Sequence, residues 1–384
     1  MNLRRIWAVA SKEWREIVRD RIYLVLAFLM PVMQMVVLGY GMSQDVENVA
    51  FAVVDEDHTP ASRDYIQHFV VSRHFAFRGM LPGARAGEPL LADGRLRVMI
   101  VVPPHFEQRL RAGKTARVQT ILDGTFTTAA RTVRSYLEAI NEAANAATQA
   151  GYLARRDGLS LARAAVLLQP IRLEVRYLYN QEARSIWAVA PSLVMFILLL
   201  TVPLLMALSV VREKESGAIY NIYASTISRA EFLAGKLLPN LLIAALNAAV
   251  LWLMATRYFG APFKGSLALF ALASLLYILC IAALGLLVSL LVRTQQAAMI
   301  ITLVMAVILA FHYSGMITPI SSLDGASWLF AHLVPPMYYQ NAVSGTFLKG
   351  VGLSVLWPDL AAFALMAGVT LALCYLAFRK RTRT

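Results

Sequence analysis

Cysteine and charge are both scarce in this sequence. Of 384 residues, two are cysteine and 15% are Asp, Glu, Lys or Arg. Cys280 and Cys374 both sit in apolar runs, so neither a disulfide framework nor a CxxC redox or zinc site is available. The low charge accompanies 58% hydrophobic residues, against roughly 45–50% hydrophobic and about 25% charged in a soluble domain. A soluble core cannot absorb that excess. The apolar residues fall in six blocks, 22–42, 186–211, 237–258, 266–292, 294–317 and 359–378, each of the length that carries a helix across a hydrocarbon layer about 30 Å thick. Apart from Asp359 and Arg257 at their ends, these blocks contain no charged residue. The first block is too long for a cleavable signal, contains Pro31 and lacks a small-x-small cleavage site, so it is expected to persist as an anchor.

Two further absences bear on the energy source. Transport driven by protons or sodium requires ionisable groups inside the membrane, and His312 is the one candidate, with an interhelical hydrogen bond as its plainer use. Gly113-Lys114-Thr115 looks like the end of a phosphate-binding loop, but that motif needs glycine where Gln108 stands. Histidines 68, 74 and 105 have no metal spacing, and Asp55-Glu56-Asp57-His58 reads as an acidic turn. No nucleophile and base can be paired from the sequence, so a hydrolase is not supported.

The net charge of +13 suggests nucleic acid until its distribution is examined. Residues 1–21 hold six Lys/Arg, 211–236 four, Arg293 one and 379–384 four, whereas the short connections on the other side hold only Lys264 and Lys349, with Arg257 at a helix end. This is the positive-inside bias of a membrane protein with both termini in the cytoplasm, and it argues against a nucleic-acid partner. Segment 43–185 then lies outside, with eighteen Lys/Arg against fifteen Asp/Glu. Its apolar runs at 49–54, 97–102, 118–122 and 171–177 alternate with helical patterns at 62–71, 104–112, 127–155 and 160–168, which predicts an α/β domain. Residues 79–94, rich in Gly and Pro, read as an irregular loop.

The predicted fold class is therefore an α-helical polytopic membrane protein, six transmembrane helices with an inserted extracytoplasmic α/β domain. Its parts are an interfacial helix at 1–21, a first span at 22–42, the domain at 43–185, five more spans over 186–378 and a basic tail at 379–384. In the first part Leu3, Ile6, Trp7, Ala10, Trp14, Ile17 and Val18 make one apolar stripe, with Lys12, Glu13 and Arg19 among the charges opposite. A helix lying on the cytoplasmic leaflet fits this pattern, and packing against a soluble partner is the alternative. Residues 318–358, with Pro335-Pro336-Met337-Tyr338-Tyr339, are expected to form short helices dipping into the outer leaflet. Gln34, Asn240 and Asn247 are candidates for lining a pathway, or for hydrogen bonds between helices.

The cytoplasmic segment 212–236 is the most distinctive. It opens with Arg212-Glu213-Lys214-Glu215-Ser216-Gly217 and later gives Ser228 and Glu231 the spacing of a capping box. Between them Ile219, Ile222 and Tyr223 can form the apolar ridge of a short helix, unless the segment is only a charged connector.

Here the chain resembles the ABC type-2 permease family, whose pattern runs approximately RE+ExGT, an apolar helix, a turn with proline, S-R and E-x-x-x-x-K. Arg212, Glu213, Lys214, Glu215, Gly217, Ser228, Arg229, Glu231 and Lys236 supply it, with departures at Ala218, where Thr is usual, and Thr226, where Pro is common. The resemblance extends through Lys12-Glu13, Arg19-Asp20-Arg21 and Pro31 to Ser314-Gly315-Met316-Ile317-Thr318-Pro319 and Pro335 to Tyr339. Val53-Val54-Asp55 and Val101 to Phe106 resemble the subgroup with a large domain after its first helix. The resemblance implies a permease of the bacterial cytoplasmic (inner) membrane, paired with a second permease subunit in a homo- or heterodimer. It further implies a cytoplasmic ABC ATPase that binds ATP and Mg, so that this chain has no cofactor and no catalysis of its own. Export of amphipathic or hydrophobic compounds, drug or lipid-like, is the expected task, with a periplasmic adaptor as a further partner. A membrane-anchored receptor, or a scaffold that recruits an adaptor through the external domain, is the competing class.

Overall fold

The computed structural model describes residues 2–42, 48–168, 178–182 and 184–378, excepting the side chains of 127, 128 and 221–223. Among the described residues, six helices long and apolar enough to cross a membrane form on the six blocks: Arg21–Gly41, Ser185–Glu215, Arg229–Tyr258, Leu267–Leu291, Gln295–Tyr313 and Leu353–Ala377, here spans 1 to 6. Local chemistry sets their starts. The Asp20 carboxylate accepts the N–H groups of Ile22 and Tyr23 at the head of span 1, Ser228 and Glu231 form the capping box of span 3, and the Thr294 hydroxyl accepts the Ala297 N–H at span 5. Helical hydrogen bonding outlasts the apolar pattern. Span 2 runs on to Glu215, into the segment 212–236 expected as a connector, while span 3 begins at Arg229, where the Ser228–Glu231 capping box is expected to start it.

Span 2 is the core of its unit, residues 1–43 and 177–384. Its apolar window is 94% buried, against 22–56% in the other spans. A helix apolar on every side needs neighbours on every side, and the outward apolar faces of the other spans suit hydrocarbon. Gly285 allows span 4 its closest approach: a Cβ there would lie 2.3 Å from the Pro203 carbonyl oxygen of span 2. After span 5 come the short helices Gly325–His332 and Pro335–Ser344. The second opens with two prolines, where a missing N–H costs nothing. It is tied in by Tyr339, which stacks on Tyr277 of span 4 at 4.1 Å and shares a 2.7 Å hydrogen bond with Ser274.

Residues 44–176 form a second unit. Its four-stranded sheet has the order β2-β1-β3-β4, from β1 Val49–Asp55, β2 Phe75–Met80, β3 Val98–Val102 and β4 Gln119–Leu122. β1 pairs parallel with β2 and β3, and β4 runs antiparallel to β3. Every residue of β3 is buried, as a strand covered on both faces requires. The helices are Pro60–Val70, Ala84–Ala92, Phe106–Arg111, Thr127–Asp157 and Leu161–Leu168. β2 has no clear alternation to betray it, and the loop expected at 79–94 contains the helix Ala84–Ala92. The glycine signal misled because Gly87 serves packing: a Cβ there would meet the Met99 sulfur at 2.2 Å. The expected strand at 171–177 and the basic tail 379–384 lie outside the described residues.

Candidate functional site

The N-terminal helix Leu3–Arg19 lies against span 3 at the bundle end that carries residues 212–236. Gly235 makes the contact possible, since a Cβ there would come 2.6 Å from the Val9 Cβ. The expected single stripe divides in two. Ile6, Val9, Ala10, Glu13 and Ile17 are buried, while Leu3, Trp7, Trp14 and Val18 are exposed. Glu13 is thus moved from the polar face, where the sequence placed it, to the interior.

It meets a buried lysine there. Lys236, the charge expected in the connector, sits inside span 3 with 1% of its side chain exposed, and its ammonium binds the Glu13 carboxylate. The Lys236 Nζ also donates to the Ser209 carbonyl at 2.9 Å and lies 3.2 Å from Glu213 Oε1. Lys12 binds the same Glu213 oxygen and reaches Glu16 at 3.3 Å. Two lysines thus face three carboxylates, with Lys236, Glu13 and Glu213 buried and Lys12 and Glu16 at the exposed edge. Burial pushes the Glu13 carboxyl above the usual carboxylate value despite Lys236, with Glu213 adding to the rise. Burial opposes the Lys12 charge, but Glu213 and then Glu16 hold its pKa above the ordinary lysine value. The carboxylates of Glu13, Glu16 and Glu213 converge closely enough to hold a metal ion. Lys12 and Lys236 already occupy that field, so the chemistry here is ion pairing.

The run Arg212 to Glu215, on the last turn of span 2, sends each charge to a different element. Arg212 grips Asp20 with two guanidinium nitrogens, fixing the residue that caps span 1. Glu213 faces Lys12 and Lys236, on the N-terminal helix and span 3. The Lys214 ammonium donates to the carbonyls of Ser289, Leu290 and Val292, the electronegative end of span 4. Glu215 accepts the Gln295 backbone N–H at 2.7 Å and its side-chain amide, at the electropositive start of span 5. Gly217, at φ +75°, lets the chain leave the helix in a left-handed conformation.

The remaining predicted residues separate into groups. Ser228 and Glu231 cap span 3, and Glu231 also accepts the Asn2 N–H at 2.7 Å and lies 3.8 Å from Arg5. The short helix forms at Ile219–Ala224, but Ile219 is buried against its own chain and cannot belong to an outward ridge, while Tyr220 is exposed. The side chains of Ile222 and Tyr223 lie outside the described residues. Arg19 lines an open groove of about 620 Å³ with Asp20, Arg212, Ser216 and Ala218. Asn240 accepts the Tyr23 hydroxyl and donates to the Lys236 carbonyl, and Asn247 donates to the Ala27 carbonyl at 2.7 Å, so both join span 1 to span 3. Gln34 is half-buried, with an oxygen that has no partner among the described residues. The sequence did contain a signal for Lys236: with Asn240 and Asn247 it makes the polar stripe i, i+4, i+11 of an otherwise apolar helix, the face that must turn inward.

Comparison with known proteins identifies the family. The family model described as ABC-2 family transporter protein matches residues 21–376. The chain is 26% identical over 379 residues to the probable multidrug ABC transporter permease YbhR of Escherichia coli K12, covering 98% of this chain and 99% of that one. It is 27% identical over 351 residues to the probable multidrug ABC transporter permease YbhS of the same strain, covering 91% and 90%. To the inner membrane transport permease YhhJ it is 22% identical over 393 residues, covering 100% and 99%. A family match across nearly the whole length, on a chain that carries six apolar helices, makes this protein a multi-pass membrane permease of the ABC-2 transporter family, whose members work with an ATP-binding subunit.

Proposed function

We propose that this permease exports amphipathic or hydrophobic compounds, drug or lipid-like, across the bacterial inner membrane as one half of a dimer driven by a separate cytoplasmic ATPase. The observation that carries the reading is the charged run at the end of span 2. Four adjacent residues bind the N-terminal helix and spans 1, 3, 4 and 5, so a force applied at this end is delivered to most of the bundle together. The ATPase seats beside residues 216–224 and the open groove that Arg19 lines, with Tyr220 among its contacts and ATP and Mg on its own surface. The names of the two multidrug relatives support the substrate class, and the positive-inside bias supports a cytoplasmic position for this end and both termini. Residues 44–176 then lie outside, available to a periplasmic adaptor.

The test uses inside-out vesicles containing the permease and its ATPase. ATP should drive accumulation of an amphipathic dye, and replacing residues 216–224 by a Gly/Ser linker should abolish it without loss of the inserted protein. Full accumulation by that variant would overturn the coupling. Reporter fusions after Thr125 and Leu348 should report the outside and one after Gly217 the cytoplasm. A cytoplasmic Thr125 would overturn the topology.

A further inference from the structure

The unit of residues 44–176 contains an open groove of about 650 Å³ that export as proposed does not use. Three helices form it: Pro60–Val70, Phe106–Arg111 and the distal half of Thr127–Asp157. The proximal half of that long helix packs on the sheet core through Val133, Leu137 and Ile140. Beyond it, the groove wall consists of Ala144, Ala147, Thr148 and Gly151, at the i, i+3, i+4, i+7 spacing of one helix face. Leucines there would interdigitate with the opposite helices; small residues leave a hollow.

The hollow has two dissimilar ends. At one, the Tyr65 hydroxyl donates to Asn141 at 3.1 Å, and the Tyr65 ring tilts against Phe106 at 5.7 Å. At the other, Tyr152 reaches towards Gly113, its hydroxyl 3.5 Å from the position of a Cβ there. Phe106 and Leu110 supply apolar surface between them. The charges are unequally committed. Arg111 binds Glu107, and Arg156 binds Asp157 at 2.8 Å. Arg155 donates its Nε to the Gly151 carbonyl at 3.2 Å, and among the described residues no carboxylate pairs with it. Its remaining guanidinium donors stand at the Tyr152 end, while the exposed Asp64 beside Tyr65 disfavours a second anionic group at the opposite end.

Ligand sites commonly occupy roughly 300–1,000 Å³, mostly apolar with a few orienting polar groups. We propose that this groove binds a small amphipathic organic monoanion, with its acidic group on Arg155 and its ring or chain over Phe106 and Leu110. Arginine suits that role because its planar fork meets two oxygens of a carboxylate or sulfonate at once.

Naphthalene-2-sulfonate is the probe, titrated calorimetrically into the full-length permease in nanodiscs with empty discs subtracted. One saturable site per chain is expected, with the neutral naphthalene-2-sulfonamide bound about tenfold more weakly. Arg155→Gln should weaken sulfonate binding about tenfold and leave the sulfonamide unchanged, while Arg155→Lys, which keeps the charge but loses the planar fork, should fall between Arg155→Gln and wild type. Gly151→Leu, which fills the hollow with a better helix former, should remove both probes without loss of fold. Absence of saturable binding to the wild type would overturn the proposal, as would equal sulfonate affinity in wild type and Arg155→Gln. The titration contains neither nucleotide nor ATPase, so its outcome is separate from that of export.

Discussion

Lys236 with Glu13 and Arg97 with Asp123 are the same kind of ion pair in two kinds of surroundings. In the bundle, lysine and glutamate are 1% and 4% exposed, and each has a second polar contact or charged neighbour. In the sheet unit, the arginine is 44% exposed and the aspartate 12%, and the pair joins the residue before β3 to the residue after β4. Water reaches the arginine of the second pair freely and neither member of the first. The bundle end thus depends on its charges, whereas the sheet unit depends on an apolar core of Phe51, Val53, Phe69, Val98 and Ile100. Burial, rather than charge or distance, decides what such a contact is worth.

The contrast is broken most severely at Lys236. Lys236→Ala strands Glu13 without a cation and leaves Glu213 with Lys12 alone, which should cost about 3–5 kcal/mol, read as a fall in the thermal midpoint of the purified permease. Lys236→Met with Glu13→Leu should recover most of the loss, because an apolar pair needs no compensation. Gly235→Val comes next. It pushes Val9 and the N-terminal helix from span 3, at about 1–3 kcal/mol by the same measurement. Glu215→Ala should lower the midpoint by roughly 2 to 4 °C and raise amide exchange at the start of span 5, where it leaves the Gln295 N–H without its carboxylate while the Thr294 cap stays. Arg97→Ala should shift the midpoint by under about 2 °C.

The mildest test is acid. The two Thr125 hydrogen bonds and Arg97 hold the Asp123 carboxyl at about 2, below its ordinary 3.8. Its contribution is complete above the ordinary value and is lost as pH falls through the folded one. The stability gap between wild type and Asp123→Asn should accordingly narrow from about pH 4 downward and go on closing as pH falls through about 2, and a gap unchanged from neutral pH down to pH 2 would assign the effect to shape.

Much of the bundle was legible because hydrocarbon thickness and helical rise fix the length of an apolar block. The helix ends were less so. Apolarity stops at Val211, but hydrogen bonding continues to Glu215, since charged residues form helix as readily as leucine does. In the sheet unit, β1, β3 and β4 showed themselves by apolar runs, while β2, with Arg78 and Gly79 in its second half, offered too little contrast. At the charged end, residue types and spacing identified the segment, and the Ser228–Glu231 capping box formed as read. What remained hidden was the direction each charge faces. Glu13 and Lys236 are far apart in sequence, and only the meeting of the N-terminal helix with span 3 makes them neighbours.

The order of the four charges at the end of span 2 has a genetic consequence. Consecutive residues of a helix point about 100° apart, so Arg212, Glu213, Lys214 and Glu215 work as a key cut in one sequence. Exchanging Lys214 with Glu215 would preserve composition and net charge, yet it would set a carboxylate against the carbonyls of Ser289, Leu290 and Val292 and an ammonium against the Gln295 N–H. Inserting one codon before Glu213 would misalign every later tooth. Single substitutions in this run should therefore be milder than transpositions or frame-preserving insertions, and lineages should lengthen the chain after Gly217 in preference to any position within the run.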